Sequence, residues 1–181
     1  MKKIFLLLVL AAAAITGAQA QRYMTRSGHI SFFSSTPLEN IEAINNEAAC
    51  VIDAAKGDVV LIVPIKSFKF EKALMQEHFN ENYMESDKFP KSEFRGKIQN
   101  PGSVNFTKDG SYPVTVSGKL SIHGVTRNVT APGTITVKGG EAIASSKFKV
   151  RPDDYGIKVP SLVVGKIAKE IEVTVNCVLS K

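Results

Sequence analysis

The sequence predicts a mostly β chain, a sandwich or barrel of many short antiparallel strands with little helix. Two observations carry that prediction. Apolar and polar residues alternate with period two over most of the second half, and turn-forming clusters punctuate the alternation at short intervals. Successive side chains of a strand point to opposite faces, so such alternation means one buried and one wet face.

The first element is expected to lie outside the fold. Lys2 and Lys3 precede an apolar run from Ile4 to Ile15, and Ala18-Gln19-Ala20 follows with small residues at the cleavage spacing of a secretory signal. Residues 1–20 are therefore expected to be a cleaved signal peptide, and residues 21–181 one domain that is periplasmic or secreted. The apolar run is shorter than the ~20 residues that cross a bilayer, and no other segment matches its length, so no stable membrane span is expected.

Ser27 to Ser34 reads as a first strand and Ala48 to Ala54 as a later one. Ile41 to Ala49 between them fits either a short helix or a strand. Asp53-Ala54-Ala55-Lys56-Gly57-Asp58 has the composition of a hairpin connection, and Val59 to Ile65 is apolar on both faces. Residues Ser67 to Ser86 hold the helix formers, with Glu71 to Phe79 the most helix-like piece.

Beyond it, Val114, Val116, Leu120 and Ile122 alternate with Thr115, Ser117, Lys119 and Ser121. Phe148 and Val150 take the apolar phase of another strand. Ile171, Val173, Val175, Cys177 and Leu179 alternate with Glu172, Thr174, Asn176 and Ser180. Lys108-Asp109-Gly110-Ser111 and Lys138-Gly139-Gly140-Glu141 supply residues that tolerate positive φ in tight turns. His123-Gly124-Val125-Thr126 and Pro132-Gly133 read as further corners.

Composition narrows the function. The formal net charge is +6, and loss of the two leader lysines makes the balance milder still. Basic residues are scattered rather than gathered in a stripe, which argues against nucleic acid as a partner. Cys50 and Cys177 lack the spacing of a redox or zinc motif. An exported protein permits a disulfide, yet buried free thiols are also common, and the sequence leaves the choice open.

The three histidines, His29, His78 and His123, show no metal-ligand spacing. There is no G-x-S-x-G elbow and no Gly-rich phosphate loop. Asp153-Asp154 lies between Pro152 and Gly156 and reads as an exposed turn with capping carboxylates. No catalytic constellation assembles, so the sequence predicts neither an enzyme nor a cofactor.

Three stretches carry a resemblance. Glu85 to Phe94 contains an aromatic-Pro pair, Phe89-Pro90, followed by a strand beginning near Phe94. Gly118-Lys119-Leu120-Ser121-Ile122-His123-Gly124-Val125-Thr126-Arg127 is similar to a G-x-L-t-I-H-G-V-T-k/r run. Phe148 to Ile157 is similar to f-x-i-x-r-x-d-f/y-g-i. Together they resemble the YceI-like family, and the likeness extends from about Ser27 to Leu179.

The resemblance implies an extended, lipocalin-like antiparallel barrel of about eight strands with a short helical insertion. It also implies an apolar tunnel that in some members holds polyisoprenoids or other long-chain amphiphiles. The chain has no Trp and so lacks the G-x-W signature of true lipocalins. Where the family commonly has Arg-Asp-x-His it has Gln76-Glu77-His78-Phe79, which points to different head-group recognition.

On this reading the partner is a lipophilic small molecule, held for transport or storage. The candidate lining is Phe32, Phe94, Val114, Val116, Leu120, Ile122, Phe148, Val173 and Val175. Leu74, Met75, Phe79 and Phe89 would form a lid, and His78 is a candidate head-group partner. The same side chains could instead fill a closed core, which would make the protein a non-catalytic stress or interaction protein. The sequence also leaves a homodimer open.

Overall fold

The computed structural model describes residues 21–181; the expected signal segment lies outside them. The strands are β1 (Arg22–Ser35), β2 (Asn40–Asp53), β3 (Asp58–Pro64), β4 (Lys69–Phe70), β5 (Lys91–Ile98), β6 (Gly110–Ile122), β7 (Val125–Lys138), β8 (Glu141–Val150) and β9 (Ile171–Leu179). They run in the order β1-β9-β8-β7-β6-β5-β3-β2-β4, and β1 also pairs with β2, which closes eight of them into an antiparallel barrel. The two-residue β4 lies outside the ring, paired with Ala43 and Ile44 of β2. It leads into the single short helix α1 (Ala73–His78), which continues as one π turn over Phe79–Tyr83.

Tyr112–Ile122, Phe148–Val150 and Ile171–Leu179 are strands in the phases read from the sequence. The ambiguous Ile41–Ala49 is strand, and a bulge explains its irregular pattern. Ile30 pairs with Asn45 but Gly28 with Ala48, so β2 carries one extra residue there, and its inward phase changes from Ala43 and Asn45 to Ala48, Cys50 and Ile52. The buried Asn45 holds the bulge, donating Nδ2 to the Pro64 carbonyl (2.7 Å) and accepting the Glu47 N–H (2.8 Å).

Two expectations change. Pro132-Gly133 is not a corner but the middle of β7, opposite Thr115 and Val114 of β6. Proline is tolerated because β8 pairs with β7 only from Gly133 onward, so no ladder bond is asked of the missing N–H. Asp153 and Asp154 do form a short 3-10 turn, Pro152–Tyr155, but no carboxylate caps it.

The ends of the barrel are packed differently. Near one end Tyr23 stacks on Phe106 with ring centroids 5.1 Å apart and donates its hydroxyl to the Phe106 carbonyl. Under the helical insertion, Phe32, Phe68, Phe70 and Phe79 form a cluster with centroids 5.0–5.7 Å apart, the spacing at which aromatic pairs attract.

Between them Cys50 and Cys177 are buried, unoxidised and adjacent. Gly28 of β1 makes that room, since a Cβ there would lie 2.6 Å from Cys177 Sγ. Hydrogen bonding to Cys177 and then burial push the Cys50 thiol well above the usual thiol range.

The β2–β3 turn is built on Asp53, whose Oδ1 accepts the N–H groups of Lys56 (2.9 Å) and Ala55 (3.1 Å). The Lys56 bond above all holds its carboxyl below the usual carboxylate range. A depressed folded pKa contributes stability at neutral pH that is lost as pH falls below about 4. Asp53→Asn should therefore melt below the parent at pH 7, with the gap closing as pH falls into that range. A gap constant with pH, in thermal melts across pH 2.5 to 7, would contradict this role.

A second constraint is the pairing of Gly96 with Gly118 across β5 and β6. A Cβ on Gly118 would overlap the backbone of Arg95 and Gly96, and one on Gly96 would meet the Phe94 ring. Gly118→Ala should cost about 1–3 kcal/mol, as overpacking against backbone does, and urea unfolding would show it as a lower midpoint.

Candidate functional site

Inward phases from seven strands leave a cavity of about 680 Å³ within the barrel, within the range of ordinary ligand sites. Cys50, Ile52, Val59 and Leu61 form one wall, and Phe94, Ile98, Val114, Val116 and Leu120 continue it. Ala131, Ile135, Ala144, Phe148 and Val175 complete the enclosure. Small residues keep it open: Ala131 and Ala144 project little from the wall. The cavity is therefore apolar over most of its depth.

Its polar residues cluster at one place. The β7–β8 ladder runs from Lys138–Glu141 to Gly133–Ser146 and stops, although β7 continues paired with β6 back to Val125 and β8 with β9 on to Val150. Beyond that point the two strands part, and the cavity is bordered by Arg127–Ala131 on one side and Ser146–Arg151 on the other. A lateral window results.

Both ends of the window are pinned. Ser146 Oγ donates to the Pro132 carbonyl (2.7 Å) where the ladder ends. At the far end the Pro152–Tyr155 turn crosses the gap, held by Arg127 Nε donating to the Asp154 carbonyl (2.9 Å). His123 adds to the clasp, with Nδ1 3.3 Å from the Tyr155 carbonyl and Nε2 2.8 Å from the Glu85 carboxylate.

The charged groups around the window are Arg127, Lys149, Arg151, Asp154 and Glu170. Lys149 pairs with Glu170 at 3.1 Å. Neither arginine forms an ion pair among the described residues; Arg127 shares the strand phase of Val129 and Ala131, but its side chain, like that of Arg151, is exposed. Tyr155 is buried at the rim, and desolvation, then the nearby Asp154, push its phenol above the usual tyrosine range.

Of the residues singled out from sequence, Phe94, Val114, Val116, Leu120, Phe148 and Val175 border the cavity. The others lie elsewhere. Phe32 and Phe79 commit their rings to the aromatic cluster, while Leu74 is 61% exposed and His78 lies on the outer face of the insertion. Met75 is half-buried on the same helix, away from the cavity wall. Phe89 packs edge-on against His123 beneath the β6–β7 turn, with centroids 4.6 Å apart. Ile122 and Val173 are inward but pack against the core rather than the cavity.

The sequence reading missed Arg127, Tyr155 and the alanines. Arg127 was within reach, because it stands in phase with Val125, Val129 and Ala131, at the exposed edge of the cavity. Among the described residues no group of three His, Cys, Asp or Glu side chains could hold a metal, and no helix is long and apolar enough to cross a membrane.

Comparison with known proteins agrees with this architecture. A polyisoprenoid binding domain from Saccharophagus degradans, described as implicated in plant cell wall breakdown, superimposes with a TM-score of 0.78 at 12% identity, covering 90% of this chain and 99% of that one. BcnA of Burkholderia cenocepacia gives 0.69 at 16% identity over 85% and 96%. The YCEI protein of Campylobacter jejuni gives 0.56 at 16% identity over 75% and 81%. No curated protein matches the sequence. The model of the YceI-like domain matches residues 18–179, and the chain belongs to that family.

Proposed function

We propose that this protein binds one long apolar molecule, a polyisoprenoid, isoprenoid quinone or similar lipid, inside the barrel and carries or stores it. The observation that carries the reading is the apolar cavity of about 680 Å³ bordered by a polar-rimmed window. Burying hydrocarbon against such walls is worth ~25 cal/mol per Å² removed from water, and polar groups at one end suffice to orient the molecule. The polyisoprenoid-binding neighbour of the same fold supports the ligand class. The signal-like residues 1–20 support a periplasmic or secreted setting. The reading is of a binding protein, since none of the window groups forms a nucleophile–base pair.

Native mass spectrometry of protein purified without detergent tests it. The expected result is a stoichiometric added mass that solvent extraction identifies as a long-chain lipid. A bare mass that stays bare after incubation with lipid extract would overturn the carrier reading in favour of an interaction protein.

Filling the cavity should act in the same direction. Ala144→Phe places a ring in the space between Ile135 and Phe148 and should lower lipid occupancy at least about tenfold, the effect of losing some 1.4 kcal/mol of binding. Undiminished occupancy in a variant that melts like the parent would show that the lipid lies elsewhere.

A further inference from the structure

The barrel end that carries the helical insertion also carries an apolar tip. Neighbouring strands are antiparallel, so the β1–β2 turn, the insertion, the β6–β7 turn and the β8–β9 connection (residues 151–170) all emerge at that end. The four most exposed large apolar side chains among the described residues belong to it: Leu162 at 93%, Leu38 at 72%, Leu74 at 61% and Val164 at 58%. We propose that Leu38, Leu162 and Val164, with the lysines around them, form a docking surface for an anionic lipid bilayer. The docking goes beyond the lipid-binding reading and does not depend on it.

Distant parts of the chain meet at the tip. A Cβ on Gly165 would lie 3.1 Å from Leu38 Cδ1, so the β1–β2 turn and the β8–β9 connection are in contact there. The connection is anchored. The Ala168 N–H donates to the buried Ser34 Oγ (2.9 Å), and Lys166 Nζ stands 3.9 Å from the carboxylate of Glu39, beside Leu38. The Val163 N–H donates to the Pro160 carbonyl (3.0 Å) and the Lys166 N–H to the Val163 carbonyl (2.9 Å), which ties residues 160–166 into consecutive tight turns. Half-buried Val163 and Ile167 take the inner side of those turns, and Leu162 and Val164 are left outward. Apolar side chains exposed singly are ordinary, but a cluster held outward on an anchored connection marks a contact surface.

Charge identifies the partner. Lys158 and Lys169 flank the tip, are exposed, and form no ion pair among the described residues. The acids next to it in sequence are engaged, Glu39 by Lys72 (3.5 Å) and Lys166 (3.9 Å) and Glu170 by Lys149 (3.1 Å). Leu74 stands apart, on an insertion that exposes Glu71, Glu77 and Glu81, and is left out of the surface. Aliphatic side chains flanked by unpaired lysines match a bilayer, whose acyl region takes up the apolar groups while anionic head groups meet the cations. A second copy of the chain fits worse. Two tips face to face would bring like charges together, and three aliphatic side chains fall far below the roughly 20–30 residues a side of a stable protein interface. A bilayer sets no such minimum, because it closes around each protruding side chain. The Pro152–Tyr155 turn that frames the window and the Ser161–Val163 turn at the tip belong to one connection, so docking brings the window towards the lipid surface.

The test sediments the chain from Gln21 to Lys181 with vesicles of phosphatidylcholine alone or mixed with phosphatidylglycerol. Partitioning into the anionic vesicles should exceed that into the zwitterionic ones at least about tenfold, and high salt should remove the margin. Leu162→Ser should lower partitioning about tenfold, the effect of no longer burying one leucine side chain. Lys158→Gln with Lys169→Gln should lower it about tenfold on the anionic vesicles alone. All three positions are exposed, so the variants should melt like the parent. The chain contains no Trp, and Leu162→Trp therefore adds a single reporter whose emission should shift to the blue on anionic vesicles. Val178→Trp, at an exposed position near the other end of β9, should show no shift.

No binding to either vesicle, or binding indifferent to the leucine and lysine substitutions, would overturn the docking surface. Equal blue shifts for Leu162→Trp and Val178→Trp would show general adsorption and overturn it as well. Self-association without vesicles that Leu162→Ser abolishes would assign the tip to a second copy of the chain and overturn the bilayer as its partner. Each of these outcomes leaves the lipid-binding reading standing, which native mass spectrometry judges separately.

Discussion

Closure of the sheet is the constraint on which everything else depends. β1 pairs with β2 along nearly its whole length and with β9 over His29–Phe33, so one strand joins the two ends of the ladder. Two bulges of opposite sense, flanking Gly28, let the strand serve both partners. At that place Gly28 has no side chain, and the Cys177 thiol occupies the volume it frees. Once the sheet is closed, every strand has an inside, and the alternation of side chains becomes a wall rather than a face.

Backbone pairing continues around the ring, and the departure at β7–β8 is correspondingly informative. Unpaired strand edges cost hydrogen bonds and invite association, so a seam left open needs compensation. Ser146 satisfies the Pro132 carbonyl at one end, and the Pro152–Tyr155 turn bridges the other. The clasp reaches further through His123 to Glu85, tying the window frame to the segment that follows the helical insertion. His123 and Glu85 both have positive φ, at 50° and 42°, a conformation that costs non-glycine residues free energy and persists only where surrounding contacts hold it. The family-like His123-Gly124 and Pro152–Gly156 stretches thus meet in space, at the rim of the opening.

The clearest strands in the sequence, β6 and β9, are those whose two faces differ in polarity over most of their length, with Val178 the one apolar residue on the polar face of β9. The second half of β2 is legible as a strand, but its first half, Ile41 to Ala49, is ambiguous because the bulge shifts the inward phase between Asn45 and Ala48, and period-two reading assumes an unbroken phase. Pro132 misled for a related reason: proline signals a turn locally, but here a tertiary event, the departure of β8, removes the demand for its N–H.

The site was half legible. Phase identifies an inward residue without saying at what height along the barrel it lies, so Phe94 and Phe148 border the cavity while Phe32 packs in the aromatic cluster. Leu74 and His78 were placed by their position in the helical insertion, which covers that cluster instead of the window. Arg127 obeyed the same phase rule as its neighbours and was overlooked because it is charged.

The most direct test of the account is a crystal structure of the protein loaded with geranylgeraniol. The account predicts chain density among Phe94, Val116, Leu120 and Phe148, with the hydroxyl end between β7 and β8 near Arg127. Density beneath the helical insertion among Phe32, Phe70 and Phe79, with the cavity empty, would contradict it.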